Sequence, residues 1–284
     1  MVVFAGQGDP RRTMALLWRA STPQVGRTAP GPKPALSVDA IVEVAIAVAD
    51  ADTMDGLSMR AVGERLGRSA MALYTYVPSK RELVDLMYDQ AHAGQRSGYD
   101  LDSGWRAAVT SWTEDLWALY LRHPWLLQVS YARPVLGPHE QAVLESIVRI
   151  LHETGLQPGV LRRIVGSLYN LVRGAAQTAA ESRLAAEATG TSDQEWWSAR
   201  SCLLDEVAPD FAQRFPMSTS LAQEPHPSPK DDSVPYLESE AKETLKVGLA
   251  LLLDGIAATM TGPLAEPTAE CTRSRDPYGT TRIT

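Results

Sequence analysis

"SMRAVGERLGRSAMALYTYVPSKRELVDLM" (Ser58–Met87) sets a serine directly before each of three short apolar-periodic runs. Serine in that place is a helix N-cap, its hydroxyl accepting from an amide that the first turn leaves unpaired. The helix after Ser58 has Ala61, Val62 and Leu66 on its apolar edge. It ends at Gly67, where a left-handed closing residue favours glycine. Ser69 caps a helix from Ala70 to about Tyr76, stopped by Pro78, since the residue before proline avoids the α region. In "SKRE", Ser79 and Glu82 have the spacing of a capping box, hydroxyl to the third amide and carboxylate back to the serine amide. Leu83, Leu86 and Met87 form the core face of that helix. Upstream, Ser37 caps a run with Ile41, Val44, Ala45 and Val48 on one face, broken by "ADADTMDGL".

A helix, a glycine turn and a second helix make a helix-turn-helix unit, whose second helix enters the major groove of DNA. Leu73 and Val77 would anchor the inner edge of that helix, leaving Ala70, Met71, Tyr74 and Thr75 to face outward. The helix starts at Ser58, Ser69 and Ser79 offer free amides to phosphates. Charge is distributed accordingly. The whole chain is net −7, yet its first 81 residues hold ten Lys/Arg against seven Asp/Glu. Arg60, Arg65, Arg68, Lys80 and Arg81 face only Glu64 between Gly56 and Arg81. A basic module on an acidic body points to a local polyanion contact; a solvated helix surface would carry the same charges.

The ordered series Ser58-x-Arg60, Leu66-Gly67, Leu73-Tyr74, Tyr76, Lys80 and Leu83 resembles the DNA-binding domain of the tetracycline-repressor family of bacterial transcription regulators. The resemblance spans residues 37 to about 90. It implies an all-α fold: an N-terminal three-helix helix-turn-helix domain at 37–90 and a larger helical ligand-binding and dimerisation domain at 91–262. Carried over position by position, it implies groove contacts for Arg60, Ala70, Met71 and Thr75. Phosphate contacts fall to Tyr74, Tyr76, Lys80 and the caps Ser58 and Ser69. Ala70 and Met71 are apolar where the family often places hydrogen-bonding groups, so methyl contact with thymine is the readout available there.

Beyond residue 91 the periodicity is helical throughout: Trp105–Leu121, Glu140–His152, Gly159–Leu184, Glu195–Leu204 and Glu238–Met260. No alternating strand of useful length occurs. "RHPWLLQVSYARPVLGPHEQAVLESIVRILHETGL" followed by "LYNLVRGAAQTAAE" resembles the tetracycline-repressor regulatory domain. That resemblance implies an effector site involving Trp112, Trp125, Tyr131, Tyr169, Asn170 and Arg173, although core packing would also explain these aromatics. Val129 stands where a metal-ligating histidine would be expected, which turns the expectation from a metal–tetracycline complex to another small, largely apolar effector, such as an aromatic natural product. The family's four-helix dimer interface maps onto Gly159–Leu184 and Glu238–Met260. In the latter, Leu245, Leu249, Leu252, Leu253 and Ile256 recur at helical spacing, and Gly248, Gly255 and Ala257 permit close approach.

Residues 1–36 carry Pro10, Pro23, Pro30, Pro32 and Pro34 and read as a flexible basic arm. A short helix at Met14–Ala20 is conceivable within it, and Met14 could also be a start codon. Arg27 and Lys33, nearest the fold, are candidates for DNA contacts outside the half-site. Phe215–Tyr236 is Pro/Ser-rich and reads as a mobile connection, and 263–284 as a polar tail.

Other chemistry finds little support. The five histidines have no metal-ligand spacing, and neither a metal nor a cofactor is expected. Gly56-Leu57-Ser58-Met59-Arg60 lacks the second glycine of a nucleophile elbow, and Gly6-x-Gly8 precedes no strand–helix unit. Cys202 and Cys271 form no disulfide framework. No apolar run spans a bilayer, the longest being broken by Gly248, Asp254 and Gly255. The expectation is a cytoplasmic regulator, most readily a repressor, that binds a palindromic DNA operator as a homodimer, responds to a small-molecule effector and has neither catalytic activity nor a membrane partner.

Overall fold

The computed structural model describes residues 3–19, 36–130, 132–223 and 235–261. Tyr131, Arg27, Lys33, Cys271 and the tail 263–284 lie outside them.

The four serine caps form where the sequence places them. Ser37, Ser58, Ser69 and Ser79 accept from the amides of Ala40, Ala61, Ala72 and Arg81 and open α2 (Val38–Gly56), α3 (Met59–Leu66), α4 (Ala70–Tyr74) and α5 (Lys80–Ala91). Gly67 ends α3 with φ +64°, its amide and that of Arg68 closing on the carbonyls of Glu64 and Gly63. Ile41, Ala45, Val48, Val62, Leu73, Val77, Leu83 and Met87 are buried together. Each large apolar side chain so enclosed contributes about 1.5–3 kcal/mol, which is how a five-residue helix such as α4 can persist. A β-carbon on Gly63 would lie 2.7 Å from the Arg68 carbonyl oxygen, so only glycine lets α3 sit this close to the turn.

Two local expectations are corrected. The reciprocal capping box does not form: Glu82 takes the Ser79 hydroxyl, not its amide, and its other oxygen accepts from the Asp9 amide at 3.1 Å. α2 also continues to Gly56 across a kink at Thr53, whose φ of +58° is costly for a β-branched residue.

The body comprises α6 (Trp105–Arg122), a 3-10 turn (Pro124–Gln128), α7 (Pro138–His152), α8 (Pro158–Thr189), α9 (Asp193–Val207), α10 (Phe211–Arg214), α11 (Pro216–Gln223) and α12 (Tyr236–Thr261). α8 and α12 share the most extensive packing, and α6 lies on α8. Arg183 grips Glu238 with two 2.6 Å bonds and Arg106 reaches Asp254 at 2.8 Å, joining α12 to α8 and α6. A β-carbon at Gly248 would sit 2.9 Å from Leu171, so the small residue serves the α8–α12 contact within one chain; at Gly255 nothing among the described residues lies within 4 Å. The expected mobile connection is helical at its start, Pro216–Gln223, and 224–234 lies outside the described residues.

Residues 3–19 are not the free arm that the prolines and charges of 1–36 suggest. β1 (Val3–Phe4) pairs in parallel with β2 (Val129–Ser130), and α1 (Pro10–Leu17) packs on α5. Asp9 caps α1 by accepting from the Arg12 amide, and Pro10 fills the first helical position, where a missing N–H costs nothing. Ala5, Thr13 and Leu17 are buried. The short helix conceived at Met14–Ala20 thus lies one turn earlier.

Candidate nucleic-acid interface and regulatory core

Around α4 the polar and aromatic side chains expected to meet DNA are exposed to solvent. Ser58, Arg60, Ser69, Met71, Tyr74, Thr75, Tyr76 and Lys80 are all exposed, Ala70 partly so. Met71 is 75 % exposed on a helix whose inner residue Leu73 is wholly buried. An apolar side chain so presented suits a surface that another molecule covers. Arg60 Nε donates to Glu64 at 2.7 Å, and this bond raises the guanidinium above its already high pKa. The remaining N–H groups of its fork stay available for a base edge or phosphate. Arg65 points elsewhere, donating to the Ala47 carbonyl at 3.1 Å and pairing with Asp52, which ties α3 to α2.

The residues expected to meet an effector separate into two places. Trp112 is buried and meets Tyr169 edge-on at 5.1 Å, its indole nitrogen donating to the Val143 carbonyl. Tyr120 and Tyr88 are buried nearby, and burial, first of all, drives the Tyr88 and Tyr169 hydroxyls far above the ordinary tyrosine range. Arg173 lies 5.8 Å from the Tyr120 ring and donates to the carbonyls of Leu126, Leu127 and Val129 at 3.3, 2.6 and 2.8 Å. It therefore closes the end of the 3-10 turn as well as facing the aromatic group. Asn170 is exposed on α8. The sequence reading missed Tyr88 and Tyr120; each continues the buried face of its helix, a signal that periodicity alone assigns to core.

Trp125 belongs to the junction between the two domains. Its indole donates to Asp50 Oδ1 at 2.8 Å, and His123 Nδ1 meets the same oxygen at 2.8 Å. A cleft of about 170 Å3 opens beside them, lined by Asp50 and Thr53 of α2, Trp125 and Leu127 of the turn, and Gln177 and Glu181 of α8. The strained Thr53 backbone thus stands where the DNA-binding half meets the body. Such strain costs on the order of 1–3 kcal/mol and persists only where surrounding packing holds it.

α5 connects the halves and buries three carboxylates, Glu82, Asp85 and Asp89. Asp89 caps α7, accepting from the His139 and Glu140 amides at 2.9 Å each, while burial raises its pKa. Burial pushes Asp85 up to about 6; one oxygen accepts from the Gly6 amide at 2.8 Å and the other has no hydrogen-bond partner among the described residues. Burial also works to raise Glu82, but the Ser79 hydroxyl and the Asp9 amide outweigh it and hold the group low. His92, at the end of α5, is buried against Tyr88, its Nδ1 at 2.7 Å from the Tyr88 carbonyl, and burial lowers it to about 4.

Comparison with known proteins agrees with this layout. Residues 99–260 match the family described as "Tetracyclin repressor-like, C-terminal domain". The chain belongs to the tetracycline-repressor family. It is 39% identical over 221 residues to the HTH-type transcriptional repressor DrrR1 of Streptomyces coeruleorubidus, covering 78% of this chain and 80% of that one. An HTH-type transcriptional regulator of Saccharopolyspora erythraea is 32% identical over 123 residues, 43% of this chain and 52% of the other. Among solved structures, the TetR family protein ActR of Streptomyces coelicolor in complex with actinorhodin superposes with a TM-score of 0.62 at 22% identity, covering 80% of this chain and 97% of that one; at that identity the likeness speaks for the fold. The tetracycline-repressor chain described here is accordingly a transcriptional regulator and not an enzyme, with its helix-turn-helix unit in α3 and α4.

Proposed function

We propose that this protein is an effector-released repressor that binds an inverted-repeat operator as a homodimer. The observation that carries the DNA part is the exposure of Arg60, Met71, Tyr74, Thr75, Tyr76 and Lys80 around a fully buried Leu73. Arg60 reads a base edge, Ala70, Met71 and Thr75 fill the groove, and Tyr74, Tyr76, Lys80, Ser58 and Ser69 hold phosphates. Arg27 and Lys33 add contacts flanking the half-site. A regulator of transcription works at the chromosome, in the cytoplasm.

Dimerisation is supported by the two-sided apolarity of α12. Leu245, Leu249, Leu253 and Ile256 are buried against the chain's own helices, while Val247 and Leu251 on another face are 61 and 69 % exposed. One 18-residue window of α12 has a mean hydropathy of 1.4, enough in length and composition to cross a bilayer. A helix buried once within its subunit and again against a partner explains the same composition.

The effector reading rests on the aromatic and polar interior of Trp112, Tyr169, Tyr120 and Arg173, and on the family's ligand-bound relative. Trp125 and Tyr131 complete the set of aromatics proposed to feel the ligand. A ligand that binds a conformation other than the DNA-binding one more tightly shifts the equilibrium away from it. Titration with a panel of aromatic natural products tests this by tryptophan fluorescence and gel shift together. A compound that changes the fluorescence and releases DNA is expected. A ligand that binds tightly while the DNA complex persists would refute release as the mechanism.

A further inference from the structure

Residues 3–19 run from the regulatory body to the DNA-binding half and are fastened to both. Val3 lies opposite Val129 and Phe4 opposite Ser130 in a parallel pair. Ala5 is buried, and Gly6, at φ +67°, turns the chain so that its amide donates to Asp85. Gly8 passes so close to Glu82 that a β-carbon there would overlap the carboxylate, and the next amide, Asp9, donates to that same side chain. Gly6-x-Gly8 thus serves a close backbone approach. Further on, Trp18 Nε1 donates to the Leu136 carbonyl at 3.0 Å, and Arg19 pairs with Asp39 in the first turn of α2. Leu136 is itself held at φ +62°, its amide donating to Glu140 at 2.7 Å.

Buried carboxylates are expensive unless their hydrogen bonds are made. Here α5 spends two of them on amides of this one segment. α5 is also the helix whose Leu83, Leu86 and Met87 pack in the DNA-binding half while its far end, through Asp89, caps α7 of the body. Whatever fixes α5 against the 129–137 segment fixes the angle between the reading helix and the body. In a symmetric dimer that angle sets the separation of the two reading helices, and each base pair of half-site separation is about 3.4 Å.

We propose that residues 3–19 form a strap that determines half-site spacing: by clamping α5 to the 129–137 segment, it makes Ala5, Gly6 and Asp85 specificity determinants that never touch DNA. The proposal rests on the reading of the protein as a dimer on an inverted repeat. It differs from a basic arm laid in the groove, because its contacts, the Arg19–Asp39 pair included, are made to the protein itself and leave the salt dependence of DNA binding unchanged.

Operator duplexes whose spacer is shortened or lengthened by one and two base pairs provide the test, with an isolated half-site as control. Full-length protein is compared with a chain beginning at Met14 and with Ala5→Glu, whose charge cannot remain in a buried site and which leaves α5 intact if the truncated chain fails to fold. Full-length protein is expected to lose about tenfold or more in affinity for each base pair of spacer change, and both variants less than about threefold, at unchanged half-site affinity and salt slope. A folded Ala5→Glu variant that keeps the full-length spacer profile overturns the strap alone. A full-length profile that is already flat overturns the inverted-repeat reading, and the strap with it.

Discussion

The roles proposed for Arg60 and Lys80 separate base reading from backbone attraction. Arg60→Ala is expected to cost on the order of 1–3 kcal/mol on the operator and to relax preference at one base pair of each half-site. Lys80→Ala is expected to weaken binding to all duplexes alike and to flatten the salt slope by roughly one unit. Titrations against single-base operator variants at several salt concentrations distinguish the two; equal losses on every variant for Arg60→Ala would reassign it to phosphate. Asp85 makes a separate prediction about stability. Its folded pKa of about 6 lies above the usual value of 3.8, so the folded state holds the proton more tightly and ionised Asp85 opposes folding. That cost is fully present above pH 6 and disappears as pH falls towards 4. Asp85→Asn, which can still accept from Gly6, should be more stable than the parent by up to about 3 kcal/mol at pH 8, the gap closing by pH 4. His92 acts oppositely: lowered to about 4, it costs stability as pH falls from 6.5. Denaturant unfolding of both proteins across pH 4–8 checks the sign. At this scale the serine caps and the Gly67 turn were legible, because each depends on neighbours within four residues. The partner of Glu82 was not, because the Asp9 amide is 73 residues away.

The α3–turn–α4 element depends on two glycines for different reasons, and only one is visible in the sequence. Gly67 announces itself at the end of an apolar run, whereas Gly63 lies mid-helix, where glycine reads only as a weak helix former. The contact that demands it, with the Arg68 carbonyl oxygen, appears only once the turn is built. Gly63→Ala is expected to destabilise the protein by roughly 1–3 kcal/mol and to weaken operator binding by disturbing α4, measurable as a lowered denaturation midpoint and a raised Kd. Unchanged values would mean that the turn yields freely. The strap illustrates the other limit of sequence reading. Asp9-Pro10 is a helix start, but five prolines and a basic excess outweighed it, and a two-residue strand has no periodicity to detect. The same holds for the aromatic residues of the body: Trp112 and Tyr169 do meet, yet Trp125 serves the domain junction and Asn170 the outside of α8, a division that no one-dimensional pattern records.

At the scale of the whole molecule, the proposed operator recognition has two copies associate through α8 and α12. Leu251→Asp places a charge on the exposed face of α12 without touching the buried Leu249 and Leu253. It is expected to yield folded monomers that lose operator affinity by about a hundredfold or more while retaining weak, salt-sensitive binding to any duplex. Sedimentation beside gel shift reads both effects; a dimeric variant with parental affinity would move the interface elsewhere. The all-helical architecture was legible because it follows from many independent caps and faces. The coupling between halves was not, since Asp50, Thr53 and Trp125 come together from separate elements. The most direct measurement is selection of DNA fragments by the purified protein, followed by sequencing and by sedimentation of the complex on the enriched duplex. An inverted repeat bound by two chains is the expected result, and enrichment of no sequence, or a single chain on an asymmetric site, would contradict it.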